Sequence, residues 1–182
     1  MTVEPTRLKI IEEAKRIEHD ALYSAKGHYE AAERWTRFHL TIGIPTAILS
    51  AIAGAAALAQ FDNHNLIAGF LAIVVAALTA VATFLNPNEK ATSHQNVGNK
   101  YNALRNKVHV FCTIDSSVEN SEQELIKQLK ELARQRDELN QDSPPISSWA
   151  YKKAQKVIKD KAIKNQVDSE ADSVGEFKVT NR

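Results

Sequence analysis

This chain of 182 residues carries a formal net charge of +1 and a single cysteine. A balance so near zero gives no field to gather nucleic acid, and none is expected as a partner. Cys112 alone cannot form an intrachain disulfide, which agrees with a reducing compartment. The N-terminus, MTVEPTRLKIIEEAKR, is charged with no early apolar run, so no cleavable signal peptide is expected.

Residues 5–37 predict one long cytosolic helix, with Thr6 as a cap and no proline to interrupt it. Its less polar positions, Ile10, Ala14, Ile17, Ala21, Ser24, His28, Ala31, Trp35 and Phe38, alternate steps of four and three. That is a coiled-coil-like seam of mostly small residues, which must pair with another helix to bury enough area. Trp35 lies where an interfacial anchor belongs. Tyr29 suits that role or packing just beneath the surface.

From Phe38 to Leu85 the chain reads as two apolar segments, 38–60 and 66–85, around a polar turn at 61–65. No Asp, Glu, Lys or Arg occurs between Arg37 and Asp62, or between Asp62 and Glu89. Each segment is long enough, at ~1.5 Å per residue, to cross a ~30 Å hydrocarbon layer. Inside lipid the backbone must close its own hydrogen bonds, as a helix does. The alternative is a buried hairpin in a water-soluble bundle, but core helices rarely omit every charge for so long. The mean hydropathy of −0.34 averages this apolar stretch with a very polar remainder.

Orientation follows from the flanks. Arg34 and Arg37 precede the first span, Lys90, Lys100, Arg105 and Lys107 follow the second, and the FDNHN turn has no Lys or Arg. The positive-inside rule therefore places both termini in the cytoplasm.

Within the spans, Gly43, Ala47, Ser50 and Gly54 form one small-residue stripe and Gly69, Ala72, Ala76 and Ala80 another. Small stripes let helices approach in lipid, where apolarity alone gives no preference. The expected role is to pack the hairpin's own two helices together; the alternative is contact between subunits. Thr46, Ser50, Thr79 and Thr83 supply hydroxyls at depth. They either line water or, more commonly, bond a preceding backbone carbonyl. Pro45 and Pro87 are the expected kink positions.

Residues 89–113 predict a second cytosolic helix with the seam His94, Val97, Tyr101, Leu104, Val108 and Phe111. It should pair antiparallel with the first. Gly98 costs ~1 kcal/mol there relative to alanine, which marks a close crossing. Thr113 to Asn120 reads as a break. Helices follow at 121–140, capped by Ser121 with Glu124, and at 147–164, capped by Ser147 or Ser148. In the first of these Leu125, Leu129 and Leu132 should face inward. In the second, Trp149, Ala150, Ala154, Val157 and Ile158 should do so, leaving Lys152, Lys153, Lys156, Lys159, Lys161 and Lys164 outside; that basic face is expected to be plainly solvated, with contact to anionic lipid headgroups or a partner as the alternative. Residues 166–182 are polar and aperiodic and read as a disordered tail. The expected fold is all-α: a two-helix transmembrane hairpin extended into a cytosolic helical bundle, with two further C-terminal helices. Residues 1–165 form a single module.

Chemistry is sparse. The six histidines, at positions 19, 28, 39, 64, 94 and 109, show no HExxH or tight carboxylate pairing, and no phosphate loop or nucleophile elbow occurs. His28 and His94 fall on the two seams as packing histidines, with a shared metal or pH-sensitive contact the sharper alternative. Neither an enzyme nor a cofactor is expected. The spans lack the ionised groups at depth that an ion-coupled transporter needs.

The order GHYEAAERWTRFHLTIGIP, a second span, FLNPNEKATSHQNVGNKYNALRNKV and PPISSWAYKKAQKVI resembles the SLATT superfamily of bacterial two-helix membrane effectors, over about residues 8–164. Its markers are His28, Tyr29, Ala32, Arg34 and His39 before the first span, then Pro87, His94, Gly98, Tyr101, Leu104 and Arg105 after the second. The resemblance implies a pore-forming or membrane-disrupting effector of the bacterial inner membrane, acting in antiviral defence by abortive infection. It also implies homo-oligomers in lipid, gated by a separate sensor protein or nucleotide signal. A membrane-anchored scaffold or sensor subunit, positioning cytosolic helices for a partner without a pore, is the alternative.

Overall fold

The computed structural model describes residues 5–59, 63–118 and 121–162, and every regular element among them is helical. They are α1 (Pro5–Leu58), α2 (His64–Leu85), α3 (Pro87–Val110), a π-helical turn (Phe111–Asp115), the short α4 (Ser116–Val118), α5 (Glu122–Asp142) and α6 (148–162). The described residues divide into two compact units, 5–30 with 96–162 and 31–95. The segments expected at 5–37 and 38–60 are one unbroken helix of 54 residues, and Pro45 sits inside it.

In the first unit the seams close a core. Ile10, Ala14, Ile17, Ala21 and Ala25 of α1 are buried with Tyr101, Leu104, Val108, Phe111, Leu125 and Leu132. Ala25 is buried where Ser24 was expected, and Ser24 is half-buried. Three contacts fix the direction: Tyr29 donates to Asn99 Oδ1 at 3.0 Å, His28 stacks on Tyr101, and Glu18 pairs with His109 at 3.1 Å. As numbering falls along α1 it rises along α3, so the two helices are antiparallel. At Gly98 the backbone meets the Tyr29 ring, and an added Cβ would stand 2.7 Å from Cε1. The glycine is there because the ring needs its space.

The chain does not break after α3. Ser116 N–H reaches back to the Phe111 carbonyl, the i to i−5 bond of a π turn. Thr113 and Ser116 back their hydroxyls onto the His109 and Cys112 carbonyls, both at 2.8 Å. The wide turn lets Phe111 and Ser116 both be buried, at 2 % and 3 % exposure, although five residues apart in an α-helix they would diverge. Ser121 Oγ then accepts from Glu124 N–H at 3.3 Å and starts α5, which continues to Asp142 rather than ending at 140. Ser147 Oγ accepts from Ala150 N–H at 3.4 Å and starts α6.

Two inward expectations for α6 are corrected. Ala150 and Ala154 are fully buried, but Trp149 and Val157 are exposed. Lys153 is not an outer residue: it pairs with Glu30 at 2.5 Å. A narrow alanine face brings α6 close, leaving no room beneath it for an indole.

The second unit holds the apolar hairpin. Half-buried or buried positions recur at Ile42, Thr46, Leu49, Ala53 and Ala56, and at Ala68, Leu71, Val74, Val75, Leu78 and Ala82. These are the faces by which the two apolar helices pack within the unit. Asn63 and Asn86 take left-handed conformations at the two ends of α2, which short amide side chains tolerate. Pro87 opens α3, where its missing N–H is no loss; the expected kink there is a sharp helix boundary. α2 begins at His64, inside the expected 61–65 turn. Positions 60–62, 119–120, Lys164 and the expected disordered tail at 166–182 lie outside the described residues.

Candidate functional site

The apolar hairpin is the candidate site. Neither small-residue stripe packs the hairpin. Gly43, Ala47, Ser50, Gly54, Gly69, Ala72, Ala76 and Ala80 are all exposed, and an added Cβ at Gly43, Gly54 or Gly69 would meet nothing within 4 Å. The expectation that these stripes join the two helices is overturned. The covered positions of the two helices are others, a mixture of aliphatics and small residues: Ile42, Thr46, Leu49, Ala53 and Ala56, and Ala68, Leu71, Val74, Val75, Leu78 and Ala82.

A second exposed sector carries large side chains. Leu40, Ile44, Ile48 and Ile52 recur every four residues along α1 and keep half or more of their surface. Leu66, Phe70, Ile73 and Phe84 are exposed on α2. The most apolar stretch of each helix is 6 % and 0 % buried. A core helix of a water-soluble bundle would be mostly covered, and exposed apolar area on this scale marks a surface that meets lipid or protein.

Among the hydroxyls at depth, Thr46 donates to the Ile42 carbonyl at 2.7 Å and Ser50 to the Thr46 carbonyl at 2.8 Å. Thr79 and Thr83 are exposed. At the entry to the first span, Trp35 is half-buried, edge-on to Phe38 with ring centroids 5.9 Å apart, and Lys90 Nζ lies 4.5 Å from its centroid. An indole, a second ring and an ammonium at one level is the composition of a headgroup-depth anchor. At the turn His64 Nδ1 donates to the Ala59 carbonyl at 3.0 Å.

His28 is buried and stacked on Tyr101, with centroids 5.6 Å apart, a packing histidine. His94 is also buried, and desolvation lowers its pKa. No cluster of three or more His, Cys, Asp or Glu among the described residues could hold a metal ion. Burial pushes the Cys112 thiol up, helped by Glu18 and opposed by Lys15.

One feature of the first unit was not legible in the sequence. An open groove of about 720 Å³ lies between α3 and α5, with Val110, Phe111 and Leu132 along it and Lys107, Lys127 and Glu131 around it. Phe111 and Asp115 of the π turn, which no residue pattern announced, are among its lining. On its rim Arg134 and Gln135 hold the Glu131 carboxyl down to about 2 by hydrogen bonding.

A family model matches residues 12–170, nearly the whole chain and both apolar helices. The chain belongs to the SMODS and SLOG-associating 2TM effector domain family 4. Searches of curated proteins and of solved structures return no match. Membership, with two exposed apolar helices, makes this a membrane-associated two-transmembrane effector domain. The family's association with SMODS and SLOG systems gives it a partner of the sensor kind.

Proposed function

We propose that this effector acts by permeabilising the bacterial inner membrane in an antiviral conflict system, as a homo-oligomer and not as an enzyme. Two spans per chain cannot enclose an aqueous path, so copies must assemble. The observation that carries the reading is the outward turn of both small-residue stripes. Small residues on an exposed face in lipid allow backbones of neighbouring copies to approach, and Ser50, Thr79 and Thr83 lie on or beside those faces. Gating falls to the helices of the first unit, which hold the groove, acting on a signal from the sensor-type partner. The hairpin enters with both termini cytoplasmic, as the flanking Lys and Arg direct.

The test is induced expression in bacteria with membrane potential as the readout. Wild type should depolarise the cells. Gly54→Leu and Ala76→Leu enlarge side chains on exposed faces, and at Gly54 no described residue comes within 4 Å of an added Cβ. They should keep the protein in the carbonate-resistant membrane fraction yet restore the potential. An unchanged potential at confirmed wild-type expression would overturn the pore. If an unrelated two-span anchor in place of residues 38–85 preserved activity, the protein would be a scaffold instead.

A further inference from the structure

One face of α6 is used within the first unit: Ala150 and Ala154 are fully buried and Ile158 is half-buried. Opposite them lie Trp149, Lys152, Lys156 and Lys159, spaced three, four and three residues apart, which places them on one stripe. All four are exposed, with Asp160 at the far end. Trp149 keeps 47 % of its surface even with Lys153 Nζ 5.4 Å from its ring centroid. A half-exposed indole beside a row of lysines is the side-chain composition that suits a headgroup layer.

The helix is fixed in place. Lys153 pairs with Glu30, and Ile146, just before α6, packs 3.1 Å from where a Gly27 Cβ would stand.

We infer that the Trp149–Lys152–Lys156–Lys159 face of α6 rests on an anionic bilayer surface, the lysines against acidic headgroups and the indole at headgroup depth. The inference rests on the orientation proposed above, which puts α6 on the cytoplasmic side, where the leaflet is anionic. Each lysine near such a surface is drawn by its negative potential, and tryptophan favours that depth over bulk water. Because the spans tether the helix, a contact too weak to recruit a free protein is enough here. Trp149 also distinguishes lipid from a merely solvated basic face, which gains nothing from an exposed indole.

The experiment uses the full chain in lipid discs, in a Trp35→Phe background so that Trp149 alone fluoresces. Discs of brominated phosphatidylcholine are compared with discs containing about 30 mol% brominated phosphatidylglycerol. Trp149 should be quenched about twofold more in the anionic discs. The excess should vanish in Lys152→Gln/Lys156→Gln/Lys159→Gln and at about 0.5 M salt, where the Debye length is only a few ångströms. If Trp35→Phe impairs insertion, the signal lost between wild type and Trp149→Phe gives the same quantity. Equal quenching in both discs, or an excess indifferent to the lysine changes, overturns the inference with the membrane reading intact. An acidic protein partner as the true occupant would give that same equality. Failure of the chain to insert at all would sink the membrane reading as well.

Discussion

The two units treat the same side chains in opposite ways. In the first, a core of isoleucine and leucine is closed off from the charges: Ile17 and Leu125 are buried at 1 % and 0 % exposure, Arg16 and Glu12 pair on the surface, and Leu8 and Ile114 stay exposed as isolated side chains. In the second, Ala53, Ala56, Ala68 and Ala82 are among the covered positions while Ile44, Ile48 and Phe70 face outward. One helix, α1, carries both patterns without a break. The change marks a change of solvent, from water to hydrocarbon, because only in lipid does an outward isoleucine cost nothing.

The largest effect expected from that contrast uses one substitution at two places on α1. Ile17→Ala opens a cavity in a packed core and should cost about 2–5 kcal/mol. Ile48→Ala removes a methyl-rich surface that lipid covers as readily as it covers alanine, so unfolding of the detergent-solubilised protein should shift by less than about 0.5 kcal/mol. Comparable losses at both sites would mean that Ile48 is covered by protein, and the division of solvents would fail.

Glycine gives a second, smaller contrast. Gly98→Ala places a Cβ 2.7 Å from the Tyr29 ring. To relieve it the ring must move, breaking the Tyr29–Asn99 hydrogen bond, for a loss of about 1–3 kcal/mol. Gly43→Ala meets nothing and should be neutral in the monomer. Circular-dichroism melts of the two variants beside wild type decide it, and equal melting for Gly98→Ala would deny the close crossing.

The Gly98 crossing was legible in sequence, as were both seams and the Ser121 and Ser147 caps, because period and capping are local. Every α3 seam position is buried or half-buried. The facing of the small stripes was not legible. Two apolar helices can meet along any of several faces, and in lipid neither composition nor period marks which one is used. Trp149 was misplaced for a related reason: a large apolar residue near an alanine face reads as core, yet alanines admit close packing that excludes it. The π turn, which brings Phe111 and Asp115 to the groove and shifts the helical phase after Phe111, has no sequence signal.

Acid should separate the buried polar side chains from the exposed ones. Burial lowers the pKa of His94 in the folded chain below its ordinary value near 6.5, so the unfolded chain takes up that proton first. Stability present above pH 6.5 is therefore lost as pH falls from there towards the folded pKa. His94→Gln should flatten this part of the profile when melting midpoints are taken between about pH 7.5 and 5.5. An unchanged wild-type slope in the variant would assign the acid sensitivity elsewhere.

The smallest effect concerns reactivity. Cys112 packs partly buried against the core, and burial with Glu18 nearby raises its pKa against the opposing Lys15. Since the thiolate is the nucleophile, a raised pKa means less of it at neutral pH. Maleimide should label Cys112 several-fold more slowly than a cysteine at exposed Ser117 in a Cys112→Ser chain, with the difference vanishing in denaturant. Faster labelling of Cys112 would reveal an activated thiol and reopen catalysis in the first unit. Slow labelling would place the thiol among the packed residues of the first unit's core.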